Sequence, residues 1–203
     1  KMNMVNRITL SLILAFGNMF IVQAKVYDIT DYGAKNDTSV INTKAIQAAI
    51  DECAANGGGT VYFPAGDFVS GTIFLKDNIH LYLDAGAKLI CSTDVIQFPL
   101  QTPDLVSLRQ SGHSLIYAEK KNHITISGNG TIVGQGDKSP YFIFHKDQDA
   151  RIVRPRVISM VECRNIKVKD ISLINSPSWM QNYLACEDLL IEGITVVNRR
   201  SSV

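Results

Sequence analysis

Two copies of one pattern fill the stretch from Cys163 to Asn198, and no other feature restricts the fold as tightly. Displacing the numbering by 23 residues sets Cys163 on Cys186, Asn165 on Asp188, Ile166 on Leu189, Val168 on Ile191, Asp170 on Gly193, Ile171 on Ile194, Leu173 on Val196 and Asn175 on Asn198. Each copy alternates apolar residues over short runs broken at Asp170 or Gly193, which reads as brief strands joined by a bend. The 3.6-residue stripe of a helical repeat is absent. A unit this small cannot bury its apolar face alone, but copies stacked in parallel register can, with equivalent residues about 4.8 Å apart in ladders. The expectation is an all-β chain built as a parallel β-solenoid. Ile166/Leu189 and Val168/Ile191 would point inward. Asn165/Asp188 and Asn175/Asn198 would occupy bends, where Asn and Asp tolerate left-handed backbone. A β-sandwich whose strands match by chance is the alternative.

Upstream of the repeat the period changes once. Ala45, Ile46, Ala49, Ile50 and Cys53 recur at helical spacing, with Asn42 or Ser39 available as N-cap and Gly57-Gly58-Gly59 as the stop, so one amphipathic helix is predicted over about 42–55. A solenoid must cover the apolar end of its first coil, and this helix is placed to cap it. Val26–Ile29 reads as a strand followed by a loop. Strands are also predicted at Thr60–Phe63 and Phe68–Leu75, with Pro64-Ala65-Gly66 turning between them. Asn78-Ile79-His80-Leu81 and His123-Ile124-Thr125-Ile126 echo the opening of the repeat. The 42 residues from Ile124 to Ile166 fit two short coils or one coil with a loop, and the aperiodic stretch from Asp94 to Gly112 has the look of such an insertion.

The remaining bounds come from the N-terminus and the composition. Lys1 and Arg7 precede an apolar run of about 15 residues, short of the roughly 20 that span a bilayer, and the small-residue pattern Val22-Gln23-Ala24 follows. Residues 1–24 are therefore expected to be a signal peptide, 25–203 the folded domain, and the protein periplasmic or extracellular, with no membrane attachment after cleavage. A retained anchor is the alternative. A formal net charge of +1 over 203 residues gives no electrostatic case for nucleic acid. Cys53, Cys91, Cys163 and Cys186 in an exported chain could form disulfides. The stacked positions of Cys163 and Cys186 suit either a bridge or a ladder of free thiols, and free thiols are favoured. No Cys-x-x-Cys or His-x-x-x-His spacing suggests a metal.

Three blocks then carry a resemblance. Asp31-Tyr32-Gly33-Ala34 with Asn42-Thr43, Ala45-Ile46-Gln47 and Gly57 through Gly66 is similar to the N-terminal segment shared by pectin-acting β-helix proteins. Gly128-Asn129-Gly130-Thr131-Ile132-Val133-Gly134-Gln135-Gly136 resembles a turn of glycoside hydrolase family 28, the polygalacturonases. Arg154-Pro155-Arg156 and Asn175-Ser176-Pro177-Ser178-Trp179 resemble that family's coil ahead of the active site. The resemblance covers nearly all of 26–198. It implies a right-handed parallel β-helix that hydrolyses α-1,4 links of galacturonan or a related pectin backbone with inversion, without a metal or other cofactor, as a monomer when full length. The family's catalytic motifs, an Asn-Thr-Asp-like segment, an Asp-Asp pair, Gly-His-Gly and Arg-Ile-Lys, would all follow Val203. The chain is thus expected to be the N-terminal part of such a domain, truncated and itself inactive.

An inverting glycosidase needs two carboxyls about 6.5–9.5 Å apart, and no stacked pair offers them. Glu162 stacks on Ala185, Asp170 on Gly193, and Arg164 on Glu187 as a surface ion pair. No catalytic residue is assigned. Trp179, the only Trp, could stack on a sugar ring or pack in a loop, and Asn175 could contact substrate or belong to an Asn ladder. His145, Lys146, Arg151, Arg154 and Arg156 form a basic segment able to attract uronate carboxylates, although Asp147 and Asp149 interleave and favour a solvated loop. His80 and His123 receive no role. The partner expected is a polysaccharide. Two other readings share the fold: a non-catalytic polysaccharide-binding β-helix, and a pectin lyase requiring Ca²⁺ or a Lys/Arg base.

Overall fold

The computed structural model describes residues 25–104, 112–138 and 153–198, so residues 1–24, with the expected signal peptide, and His145, Lys146 and Arg151 lie outside the described residues. Strand β1 (Val26–Asp28) leads through a 3-10 turn (Ile29–Tyr32) and a loop to the helix α1 (Thr43–Ala55). Four coils follow. The first is β2 (Gly59–Phe63), β3 (Gly66–Ser70) and β4 (Ile73–Phe74); the second is β5 (Ile79–Leu83), β6 (Ala87–Cys91) and β7 (Ser114–Glu119). The third is β8 (Asn122–Ser127), β9 (Thr131–Val133) and β10 (Arg156–Val161); the fourth is β11 (Arg164–Lys169), β12 (Ser172–Ile174) and β13 (Gln181–Leu184). β14 (Glu187–Glu192) and β15 (Thr195–Val197) begin a fifth.

Equivalent strands pair in parallel into three sheets. Sheet A runs β1-β2-β5-β8-β11-β14, sheet B β3-β6-β9-β12-β15 and sheet C β4-β7-β10-β13. This is a right-handed parallel β-helix, since a parallel crossover returns to its own sheet in that hand. A sandwich would need antiparallel ladders, and the one antiparallel bridge among the described residues, Gln101 with Gly112, closes a loop. The 23-residue register is the observed one: Arg164 pairs with Glu187, Ile166 with Leu189, Val168 with Ile191 and Leu173 with Val196.

The core is a set of apolar columns. Val61, Leu81, Ile126 and Val168 stack from coil to coil in sheet A, and Phe68, Leu89, Ile132 and Leu173 do so in sheet B. All are buried, and each such side chain contributes about 1.5–3 kcal/mol. The columns run out at Leu189 and Ile191, each 39% exposed on the outer edge of the described stack. At the other end α1 buries Ile46, Ala49, Ile50 and Cys53 over the first coil and acts as its cap.

Several local expectations need correction. Asn42 stands at the N-cap but does not cap; its side chain closes the preceding loop by bonding both Lys35 N–H and Lys35 O. Ser39 instead pairs with Asp37. The predicted strand 68–75 breaks after Ser70, because the Gly71 N–H turns to Thr43 Oγ1 and the chain changes sheet. The segment 29–32 is a 3-10 turn started by the Asp28 carboxylate on Thr30 N–H. Of the two readings of the 42-residue step from Ile124 to Ile166, one coil with a loop is the observed one, its excess lying at 134–155, whereas the insertion at 94–112 belongs to the coil before it.

Corners explain the rest. Asn78, His123, Asn165 and Asp188 have φ between 53° and 61°, and Lys120, Glu162 and Ala185 between 50° and 53°, so two columns of left-handed residues lie at the passage from sheet C to sheet A. The ladder compensates the strain through bonds such as Lys120 N–H to Val161 O (2.9 Å) and Glu162 N–H to Leu184 O (2.8 Å). Asp170 stacks on Gly193, and Arg164 pairs with Glu187 at 3.1 Å. The four cysteines are free thiols.

Candidate substrate-binding site

The outer side of sheet C gathers the polar and aromatic groups that the core excludes. Across its strands, Phe74, Tyr117, Ser159 and Asn182 occupy one register row. The rings of Phe74 and Tyr117 meet edge to face at 6.0 Å, and Asn182 Nδ2 donates to Ser159 Oγ at 3.2 Å. Tyr117 Oη donates to Glu119 Oε2 at 2.8 Å, while Glu119 Oε1 accepts from Asp104 N–H. Burial, with the Glu119 bond added, pushes the Tyr117 phenol well above its usual range, so it stays protonated. Beside this row lies a cavity of about 490 Å³ lined by Phe74, Lys76, Asp77, Tyr117, Glu119 and Lys121, within the size range of small-molecule sites.

At the start of the same strands stands a cation on an aromatic platform. Arg156 opens β10 beside Ser114, and its guanidinium sits 5.6 Å from the centroid of Trp179. Gly112 makes room for it, since a side chain there would crowd Arg156 Nη1 at 3.0 Å. Burial lowers the Arg156 pKa and the nearby Tyr117 phenol opposes the shift; a guanidinium keeps its charge throughout. Trp179 is 61% exposed, yet its carbonyl is held by Val157 N–H (3.2 Å) and Ser176 Oγ (3.0 Å), so the indole is presented on fixed backbone. The Gly-x-Gly turn at 134–136 fits beneath this connection: a Cβ on Gly134 or Gly136 would collide with Asn175 or Ser176 backbone.

Of the residues singled out from sequence, Trp179 and Arg156 come together, and Arg154 is exposed on the adjoining connection. Asn175 is a corner residue with φ 49°, its N–H on Val197 O and its carbonyl receiving Gly136 N–H. His80 bonds Ser127 Oγ at 2.6 Å on sheet A, away from this face. Phe74, Tyr117 and Glu119 were not legible in advance; the only signal was that each outlies the inward apolar set once the strands are in register. Among the described residues no cluster of three His, Cys, Asp or Glu side chains is placed to hold a metal.

Comparison with known proteins now bears on this face. Residues 26–96 match the family model for rhamnogalacturonase A/epimerase, pectate lyase-like proteins. A probable polygalacturonase of Vitis vinifera is 32% identical over 181 residues, 83% of this chain and 36% of that protein. An exo-poly-alpha-D-galacturonosidase of Dickeya chrysanthemi is 39% identical over 124 residues, 56% of this chain and 20% of that one. The chain is polygalacturonase-like in sequence. The fold of this polygalacturonase-like chain agrees with that of the family 28 exopolygalacturonase of Yersinia enterocolitica, with a TM-score of 0.74 at 21% identity over 87% of this chain and 39% of the other. The chain spans little more than a third of the first of these curated relatives and a fifth of the second.

Proposed function

We propose that the outer face of sheet C binds the uronate backbone of pectin, as part of a glycosidase that hydrolyses α-1,4-galacturonosyl or related links with inversion. The observation that carries this reading is the Arg156 guanidinium held over exposed Trp179. An indole offers an apolar plane to a sugar ring, and a guanidinium offers a paired donor to a carboxylate. The relatives' names supply the substrate class. On this reading the protein is exported, residues 1–24 serve as the signal peptide, 25–203 form the early coils of the groove, and the full-length protein works as a monomer.

No described residue is assigned a catalytic role. The two carboxylates on the cavity wall are already engaged, Asp77 by Asn122 N–H at 2.7 Å and Glu119 by Tyr117 and Asp104. That engagement favours a second reading for the chain by itself, a uronan-binding surface without hydrolysis. One experiment separates them: titrate the chain with oligogalacturonides by calorimetry and measure reducing-end release in the same samples. Binding weakened by Trp179→Ala and Arg156→Ala supports the site. Release of reducing ends supports hydrolysis by this chain, and binding without release supports the second reading. Unchanged binding in both variants removes the site.

A further inference from the structure

Cys163 and Cys186 occupy equivalent places in the two-residue corners that follow β10 and β13, one coil apart. Parallel neighbours set their Cα atoms about 4.8 Å apart, inside the window of about 4.4–6.8 Å that a disulfide spans. The corners touch through the backbone, since Glu187 N–H donates to Cys163 O at 2.9 Å. Both side chains also turn the same way. Cys163 Sγ donates to Val161 O at 3.3 Å, and Cys186 Sγ lies 3.6 Å from the equivalent Leu184 O and 3.5 Å from Met160 O one coil back. Cys163 is fully buried, whereas Cys186 is half-buried.

The geometry points to Cys163 and Cys186 as a dithiol that closes to a disulfide by exchange with an external disulfide, stapling the coil that carries Arg156 to the coil that carries Trp179. Cys186 acts first because it is the accessible thiol. The neighbouring Cys163 thiol stabilises negative charge on Cys186 and lowers its pKa, while the same neighbour and burial raise Cys163. The Cys186 thiolate attacks one sulfur of the external disulfide; that S–S bond breaks, a thiolate leaves, and a mixed disulfide forms on Cys186. Cys163 then gives up its proton and attacks Cys186 Sγ, forming the cross-coil bond and expelling the second external thiol. The protein loses two electrons and two protons, and the external disulfide is reduced to two thiols. This staple is independent of what the outer face of sheet C binds.

The test treats the purified, reduced full chain with oxidised glutathione under native conditions, traps the remaining thiols and maps disulfides by mass spectrometry. The expected result is loss of two hydrogens, a single cross-link between the peptides bearing Cys163 and Cys186, and slower hydrogen exchange in β13 and β14. Cys163→Ser should instead stop at a lasting glutathione adduct on Cys186. A lasting adduct in the unsubstituted chain, a bridge that includes Cys53 or Cys91, or failure of both thiols to react would overturn the inference. The unsubstituted map decides by itself, so the result does not depend on the folding of the variant.

Discussion

Arg156 and Trp179 belong to successive coils, and the guanidinium of one lies 5.6 Å from the ring centroid of the other. A contact of this kind at an exposed site is worth about 0.5–1 kcal/mol. Trp179→Ala is therefore expected to move the denaturation midpoint little, by about 1 kcal/mol or less, while weakening oligogalacturonide binding severalfold. Arg156→Lys, which keeps charge but loses the planar fork, should weaken binding less than Arg156→Ala. Calorimetric titration beside a thermal melt checks both, and a large stability loss with unchanged binding would assign the pair to structure alone.

The inward columns predict a sharp contrast across one pleat. Ile126→Ala removes a fully buried rung between Leu81 and Val168 and should cost about 2–5 kcal/mol. Lys167→Ala, on the exposed side of β11, should stay within about 0.5 kcal/mol. Urea unfolding of the two variants reads the difference directly.

Gly128 tests the corners. It has φ 114°, and an added Cβ would run into the Leu83 carbonyl of the coil below. Gly128→Ala should destabilise by well over about 1 kcal/mol, the backbone term alone. At Gly57, with φ 91° and open space around it, alanine should cost only that backbone term. Equal losses at both positions would contradict the close approach.

Two of the groups that titrate in acid give separable contributions to stability. Burial pushes His80 below its ordinary pKa, so the unfolded chain binds that proton more tightly; stability is full above the unfolded value near 6.5 and declines as pH falls from there toward the folded value. Asp84 is held below the carboxylate range by Tyr62 Oη and Ala85 N–H, so its contribution is full above about pH 4 and is lost as pH falls through the folded value. His80→Gln should remove the first decline, and Asp84→Asn should shrink the second, in denaturation midpoints measured from pH 7 downward.

What the sequence disclosed follows from how each feature is encoded. The Ile166/Leu189 and Val168/Ile191 ladders were legible because burial demands apolar residues at a fixed step, and a repeat displays that step. The helix was legible for the same reason. The left-handed backbone at Asn165, Asp188 and Asn175 was legible through residue type, whereas that at Lys120, Glu162 and Ala185 was not, because there the two-residue corner imposes the conformation on side chains that do not advertise it. Trp179 stood out by rarity. Its partnership with Arg156, and the row of Phe74, Tyr117 and Glu119, depend on which strands become neighbours across loops of unequal length, which spacing alone does not reveal.

Unequal loop length is confined to one place. Connections from sheet C to sheet A run from two residues at 162–163 to four at 75–78, and those from sheet A to sheet B are equally short, but sheet B reaches sheet C through 71–72, 92–113, 134–155 and 175–180. Adding one residue at 162–163 would invert the pleat of the strand that follows and turn its core side chains to solvent. Adding ten within 92–113 would disturb no ladder. Among the described residues the scaffold thus tolerates added length only between sheet B and sheet C, beside the connection that bears Trp179, so a chain of this design can change what its outer face meets without changing what its core packs.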